Sequence, residues 1–281
     1  MPVSQAKIQE LEEIARGLRC DVVRMCHCAG SGHPGGSLSA ADIVAALYFH
    51  FMRLDPQNPK WEDRDRFIMS KGHACPVHYA ALSRKGFFKE EVLWTLRQLG
   101  SPLQGHPDMK STRGLDMTSG SLGNGLSVGI GMALGARISS RAFRVYVMLG
   151  DGEIQEGLVW EGAMAAAHFA LDNLTAFVDY NKLQIDGENK DVMGLEPLVG
   201  KWQQFGWHVL EIDGNQMTQV VEAIEGAQST PGKPTCIIAH TVKGKGVSYM
   251  ECSADWHGRA PNQEEMDRAI CELREKGGEA Q

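Results

Sequence analysis

A chain of 281 residues, 43% hydrophobic and 22% charged, is long enough to bury a sizeable core and has the composition of a globular protein rather than a disordered or fibrous one. Its formal net charge of -7, with lysines and arginines dispersed along the chain, excludes the basic footprint of a nucleic-acid-binding protein. No apolar run is long enough to span a bilayer and the start MPVSQAKIQELEE carries no apolar signal segment, so a cytoplasmic location is the expectation.

Ile8, Leu11, Ile14, Leu18, Val22 and Met25 recur at spacings of three and four, which predicts a helix from about Ile8 to Met25 with one buried face. It runs out in the loop Ala29-Gly30-Ser31-Gly32-His33-Pro34-Gly35-Gly36. Just before that loop stands Cys26-His27-Cys28, which reads as packing, because on a helix Cys26 and Cys28 lie roughly 200° apart and cannot share a metal. The seven cysteines include no C-x-x-C pair and are expected as free thiols. Ser39 followed by Asp42 resembles a capping box, and Ile43, Ala46, Leu47 and Phe51 continue as a buried helical face, so residues 1–53 form a helical N-terminal segment. The middle, Leu54 to Gly125, is rich in Gly, Pro and His and is expected as long functional loops with a short helical pattern over Glu90 to Leu99. In Gly123, Gly125, Gly129, Gly131 and Gly135, glycines that each cost a helix up to about 1 kcal/mol relative to Ala point to close contact with a backbone or a cofactor.

From Arg144 onward, short apolar runs alternate with helical patterns. The runs are Val145 to Leu149, Leu174 to Val178, His208 to Ile212 and Thr235 to Ala239, and the helical patterns lie near Glu156 to Phe169, Pro197 to Phe205 and Thr218 to Ala227. This alternation predicts an α/β fold, a parallel sheet flanked by helices, and residues 1–281 are expected as a single domain. The tail, residues 262–281, is polar with one weak helical pattern and an end at Gly277-Gly278 expected to fray.

Ligands of open parallel sheets bind beyond the carboxyl ends of the strands. There the chain carries Gly150-Asp151-Gly152-Glu153, Asp179-Tyr180-Asn181-Lys182, Asp213-Gly214 and His240-Thr241-Val242-Lys243-Gly244-Lys245-Gly246. Gly-Asp-Gly before a helix lets the backbone and the free N–H groups approach a phosphate, while Asp151 and Asn181 supply hard oxygens suited to magnesium. Taken alone, that motif reads more readily as a tight turn, with Asn181 a loop residue, than as a metal–diphosphate clamp.

Gly150-Asp151-Gly152, then 28 residues, then Asn181 resembles the cofactor motif of thiamine-diphosphate enzymes. SGHPGGSLSAADI at 31–43, SKGHA at 70–74, GHPD at 105–108 and TSGSLGNGLSVGIGMA at 118–133 resemble successive signatures of the transketolase family, in order, so the likeness runs from about residue 10 to residue 262. The resemblance implies the thiamine-diphosphate-binding fold and its diphosphate-binding domain. It implies that Asp151, Asn181 and the Leu183 carbonyl ligate magnesium or calcium, and that Gly152 meets the diphosphate. Likewise implied are contacts of His73, Gly120, Ser121, Leu122, Asn181 and Ile185 with the cofactor, and His33, His106 and His257 as catalytic substrate-channel histidines. Glu156 resembles a glutamate that reaches toward a partner's cofactor-activating glutamate. The chain departs from the family pattern at Lys182, Ser121 and Asn124, where a second Asn, a Pro and a Gln are usual.

Because the activating glutamate and the pyrimidine pocket of transketolases lie in a further domain, the resemblance implies a separate C-terminal partner subunit. The expected assembly is a heterotetramer with two copies of each, transferring a two-carbon ketol unit between sugar phosphates in carbohydrate metabolism of the pentose phosphate kind. Two other readings are an alpha subunit of another thiamine enzyme, of the 2-oxo acid dehydrogenase or deoxyxylulose-phosphate synthase type, and a non-catalytic interaction subunit. His27, His50, His78, His168 and His208 sit inside helical or strand patterns and read as structural. His240 fits a strand cap as well as a ligand, and Lys243 and Lys245 fit a solvated loop as well as an anion-steering one.

Overall fold

The computed structural model describes residues 3–275. Helix α1 (Gln5–Ala29) starts where the Ser4 hydroxyl accepts from the Lys7 N–H and stops at Gly30, which is in the left-handed conformation that lets its N–H cap the His27 carbonyl. Two short helices follow, α2 (Pro34–Ser39) and α3 (Ala41–Ala46), both wholly buried. The predicted capping box is not formed. Ser39 closes α2 and donates to the Asp179 carboxylate at 2.6 Å, while Asp42 is ion-paired with the buried Arg19. A buried carboxylate beside a guanidinium gains more than it would from a helix N–H.

The region from Leu54 to Gly125 holds more regular structure than expected. Strand β1 (Arg66–Met69) and helix α4 (Cys75–Lys85) lie within it, and the Glu90 pattern forms a 3-10 helix, Glu90–Thr95. Both missed elements have a physical reason. The strand is only four residues long, too short for a period, and α4 is buried on nearly every side, so it has no amphipathic stripe to read.

Helix α5 (Asn124–Ile138) leads to β2 (Val145–Gly150), α6 (Gly157–His168) and β3 (Leu174–Tyr180). A small antiparallel ribbon, β4 (Leu183–Gln184) with β5 (Gly187–Glu188), precedes α7 (Asn189–Val192) and α8 (Leu198–Gln204). Strand β6 (His208–Asp213), α9 (Met217–Ser229), β7 (Thr235–His240) and α10 (Gln263–Glu275) complete the described chain. The weak pattern in the tail is thus a full helix, with Ala269, Ile270 and Leu273 buried and α1 as its neighbour; Gly277 and Gly278 lie outside the described residues.

Five strands form one parallel sheet in the order β1-β2-β3-β7-β6. Alternation along β2 shows that both faces are covered: Val145, Val147 and Leu149 pack with residues of α5, α6 and α8, whereas Tyr146 and Met148 pack with residues of α1, α3, α4 and α9. All four predicted apolar runs are strands of this sheet, and β1 extends it beyond β2.

The glycine run is helix α5, and its glycines divide in two. A methyl group on Gly125 would overlap Ser70, and one on Gly129 would lie 2.7 Å from Val147, so both are needed to seat the helix on the sheet. Gly131 and Gly135 meet nothing within 4 Å, which corrects the expectation of close contact for these two within the chain. Gly131→Ala and Gly135→Ala are therefore expected to stabilise the isolated chain by up to about 1 kcal/mol each, through helix propensity. Gly125→Ala should cost about 1–3 kcal/mol by overpacking. Urea midpoints test this ordering, and a destabilising Gly131→Ala would show that the α5 surface is packed.

Candidate active site

Three strand ends and two loops from beyond the sheet converge on one cavity of about 310 Å³. Strand β1 delivers Lys71 and His73, β2 delivers Gly150 to Glu153, and β3 delivers Asn181 followed by Leu183 to Asp186. The loop before α2 brings His33, and the loop ahead of α5 brings His106, Gly120 and Leu122. Lys243 and His257 close the wall from beyond β7.

The four loop histidines are neighbours. His33 lies 5.3 Å from His73, 6.4 Å from His106 and 5.5 Å from His257, centroid to centroid, and His73 lies 5.0 Å from His257. All four are held neutral. Burial, then the Arg97 and Lys243 charges, bring His33 down to about 4, and burial followed by Lys243 brings His257 down to about 3. Burial with Lys71 lowers His73, and burial with Arg97 lowers His106. Neutral imidazoles that each keep one N–H and one lone pair are suited to binding hydroxyls and relaying protons.

Opposite them lies an oxygen cluster. Asp151 is 3% exposed, and its carboxylate accepts from the backbone N–H groups of Gly152 at 2.8 Å and Lys182 at 2.5 Å. No lysine ammonium or arginine guanidinium lies within 4.0 Å of it among the described residues. Burial and the nearby Asp179 push its carboxyl up to about 6, which is the signature of a buried charge that lacks a cation. Asn181 and Leu183 line the same cavity, the Asn181 Oδ1 accepting from the Leu183 N–H at 3.1 Å and the Leu183 carbonyl accepting from the Lys243 ammonium at 3.0 Å. Among the described residues no group of three or more His, Cys, Asp or Glu side chains is arranged to hold a metal. One carboxylate, one amide oxygen and one carbonyl fit instead a hard cation that completes its shell with phosphate oxygens.

Several residues that hold this arrangement were not singled out from the sequence. Lys71, 2% exposed, is ion-paired with the fully buried Asp179 and donates to the Gly36 carbonyl at 2.7 Å. Asp179 also accepts from Ser39, Thr241 and Asn181; although burial opposes it, Lys71, Ser39 and Thr241 hold its carboxyl below the ordinary range. Glu153 ties Ser70, the Gly123 N–H at 2.9 Å and the Gly150 N–H at 3.0 Å into one buried knot. The signals were present: Lys71 lies inside SKGHA, Asp179 shares a strand face with Asn181, and Glu153 follows Gly-Asp-Gly directly.

Of the residues singled out from the sequence, His33, His73, His106, His257, Gly120, Leu122, Asp151, Gly152, Asn181, Leu183 and Ile185 line this one cavity. Ser121 and Glu156 do not line it and are exposed on the surface, Ser121 accepting from Asn124 at 2.8 Å and Glu156 preceding α6. Lys243 belongs to the site, since burial lowers its ammonium to about 8 and it donates to the His257 Nδ1 at 3.0 Å; Lys245 does not line the cavity. His240 pairs with Glu211 on β6, His27 meets the Pro261 carbonyl, and His78 meets Tyr48, all away from the cavity. All seven cysteines are free thiols.

The family model described as "Transketolase, thiamine diphosphate binding domain" matches residues 9–278. The chain belongs to the transketolase family. It is 44% identical over 277 residues to the 6-deoxy-6-sulfo-D-fructose transketolase subunit SqwG of a Clostridium species, covering 99% of this chain and 100% of that one. It is 43% identical to an apulose-4-phosphate transketolase subunit of Phocaeicola vulgatus, covering 96% of each. Among solved structures, transketolase from Leishmania mexicana superposes with a TM-score of 0.88 at 29% identity, covering 99% of this chain and 45% of that one. The chain thus spans the full length of the Clostridium relative but less than half of the solved transketolase. The α/β fold expected of the transketolase diphosphate-binding domain is the fold observed, and these relatives favour transketolase over the other thiamine enzymes. No described helix is long and apolar enough to cross a membrane.

Proposed function

We propose that this chain is the diphosphate-binding subunit of a two-chain transketolase, which with its partner moves a two-carbon ketol unit from a ketose donor to an aldose phosphate. The observation that carries the reading is Asp151, a buried carboxylate without an ion-pair partner among the described residues, in one cavity with Asn181, Leu183 and four neutral imidazoles. Asp151, Asn181 and the Leu183 carbonyl, which now accepts from the Lys243 ammonium, would hold magnesium or calcium. The Gly152 N–H would meet the diphosphate, and His73, Gly120, Leu122, Asn181 and Ile185 would flank the coenzyme from the cavity wall, with Ser121 beside them on the surface. Thiamine diphosphate, when bound, supplies the carbon nucleophile that carries the ketol unit. His33, His106 and His257 bind the donor hydroxyls, and a neutral imidazole among them takes or returns the hydroxyl proton as the carbon–carbon bond breaks.

The partner is a C-terminal transketolase subunit that carries the activating glutamate, toward which Glu156 reaches, in a heterotetramer of two copies of each chain. Exposed apolar residues support such covering: Leu122 and Ile185 at the cavity rim, Val128 and Ile138 on α5, and Met164 on α6. A cytoplasmic setting suits the seven free thiols. The substrates for which the two short relatives are named, 6-deoxy-6-sulfo-D-fructose and apulose 4-phosphate, make an unusual ketose the donor to expect.

The test is to purify this chain alone and together with its partner chain, then to assay ketol transfer, with thiamine diphosphate and magnesium, from 6-deoxy-6-sulfo-D-fructose, apulose 4-phosphate and fructose 6-phosphate. Activity is expected only from the pair. Transfer by the chain alone would overturn the two-chain reading, and no transfer from any donor by the pair would overturn the enzymatic one.

A further inference from the structure

Behind His33, outside the cavity lining, lies a guanidinium with no carboxylate partner. Arg97 follows the 3-10 helix Glu90–Thr95 and has a φ of 62°, a left-handed conformation that costs a non-glycine residue roughly 1–2 kcal/mol. Its N–H donates to the Leu103 carbonyl at 2.8 Å, tying together the two ends of the loop 97–103. The side chain turns back to the site, where one Nη donates to the Ser31 hydroxyl at 3.1 Å and the other faces the His33 Nδ1 at 3.4 Å. No aspartate or glutamate lies within 4.0 Å of it among the described residues. Gly105 makes room for the group, since a methyl there would stand 2.7 Å from the guanidinium carbon. A strained backbone, a bare glycine and an unpaired charge are all spent on one contact.

We propose that Arg97 is a positioning residue that fixes the tautomer of His33. A guanidinium has donors only and cannot give up its proton, so the Nδ1 facing it has to present a lone pair. The single proton of the neutral ring then sits on Nε2. His33 is thereby committed to donating from Nε2, as a donor to a substrate oxygen rather than as a base at that atom. The other neighbours of the ring leave this choice to Arg97: His73, His106 and His257 are neutral, and Lys243 donates to His257 and Leu183.

This inference concerns His33 as it stands in the chain and rests on the proposed function only for what the Nε2 proton meets, so its test needs no turnover. Imidazole nitrogen shifts of the 15N-histidine-labelled full chain, with the His33 signals assigned by their loss in His33→Asn, report the tautomer. In the wild type the Nε2–H form should prevail by roughly tenfold or more, as expected for a hydrogen bond to a charged donor. Arg97→Met should bring the two tautomers to comparable populations. Gly105→Ala, which keeps Arg97 but pushes its guanidinium away, should do the same and decides the matter if Arg97→Met does not fold. Arg97→Lys should retain part of the bias. An Nδ1–H tautomer in the wild type, or an unchanged ratio in both Arg97→Met and Gly105→Ala, would overturn the assignment, whether or not ketol transfer is found.

Discussion

Asp151→Ala should abolish metal-dependent binding of thiamine diphosphate, weakening it by at least about 100-fold, since even residues that only support a metal ligand are worth 10–100-fold. The carboxylate is the one charged oxygen in the proposed donor set, and Asn181 and Leu183 contribute neutral oxygens only. Asp151→Asn keeps the shape and removes the charge, so it separates loss of the cation from loss of the loop. Its effect on the metal-free chain has the opposite sign. Because burial raises the folded-state carboxyl from 3.8 to about 6, this group stabilises the fold below 3.8, and that contribution is lost as the pH rises through 6. At pH 7 the bare charge therefore destabilises the metal-free chain by up to roughly 3 kcal/mol, and Asp151→Asn should recover part of it. Cofactor titration by calorimetry with and without magnesium, paired with urea unfolding, measures both; unchanged cofactor affinity in either variant removes Asp151 from the site.

Breaking the Lys71–Asp179 pair should produce the largest stability loss in the chain. Both side chains are buried, at 2% and 0% exposure, at the meeting point of β1, β3 and α2. Lys71→Met leaves the Asp179 carboxylate without its cation, a change that costs about 3–5 kcal/mol, whereas removing both charges is far milder. For a chain of this size that corresponds to a fall in Tm of roughly 10 °C. Lys71→Met with Asp179→Asn should recover much of the loss, because of the two hydroxyls that face the two carboxylate oxygens, Ser39 and Thr241, one can still donate to the amide oxygen while the other accepts from the amide NH2. Calorimetric melting of the wild type, the single variant and the double variant is the measurement. A Lys71→Met protein melting within about 2 °C of wild type would show that Ser39, Thr241 and Asn181 satisfy Asp179 by themselves.

The site was more legible than its scaffold. Asp151 and the four loop histidines stood out because Gly and Pro stand beside them in loops, where ligands bind, and Asn181 because its spacing from Gly150-Asp151-Gly152 matches the family motif. Strand β1, helix α4 and the buried pair of Lys71 with Asp179 stayed hidden for the converse reason. Four residues are too few to show a period, a helix buried all round has no polar face, and a lysine and an aspartate 108 residues apart carry no mark of each other. The capping box at Ser39 failed on the same ground, since its hydroxyl found a buried carboxylate 140 residues away.

By itself the sequence determined which residues are chemically committed: hard oxygens and imidazoles in glycine-rich loops, apolar runs that form strands, and a composition with no basic footprint. Only the tertiary structure decided which of them meet. It brought His33, His73, His106 and His257 together with neighbouring ring centroids 6.4 Å apart or less, left Asp151 buried without a cation, and set Arg97 behind His33 with Gly105 yielding the space. The reason is that local pattern specifies the state of a segment, whereas charge pairing, tautomer and carboxyl ionisation depend on desolvation and on neighbours supplied by distant parts of the chain.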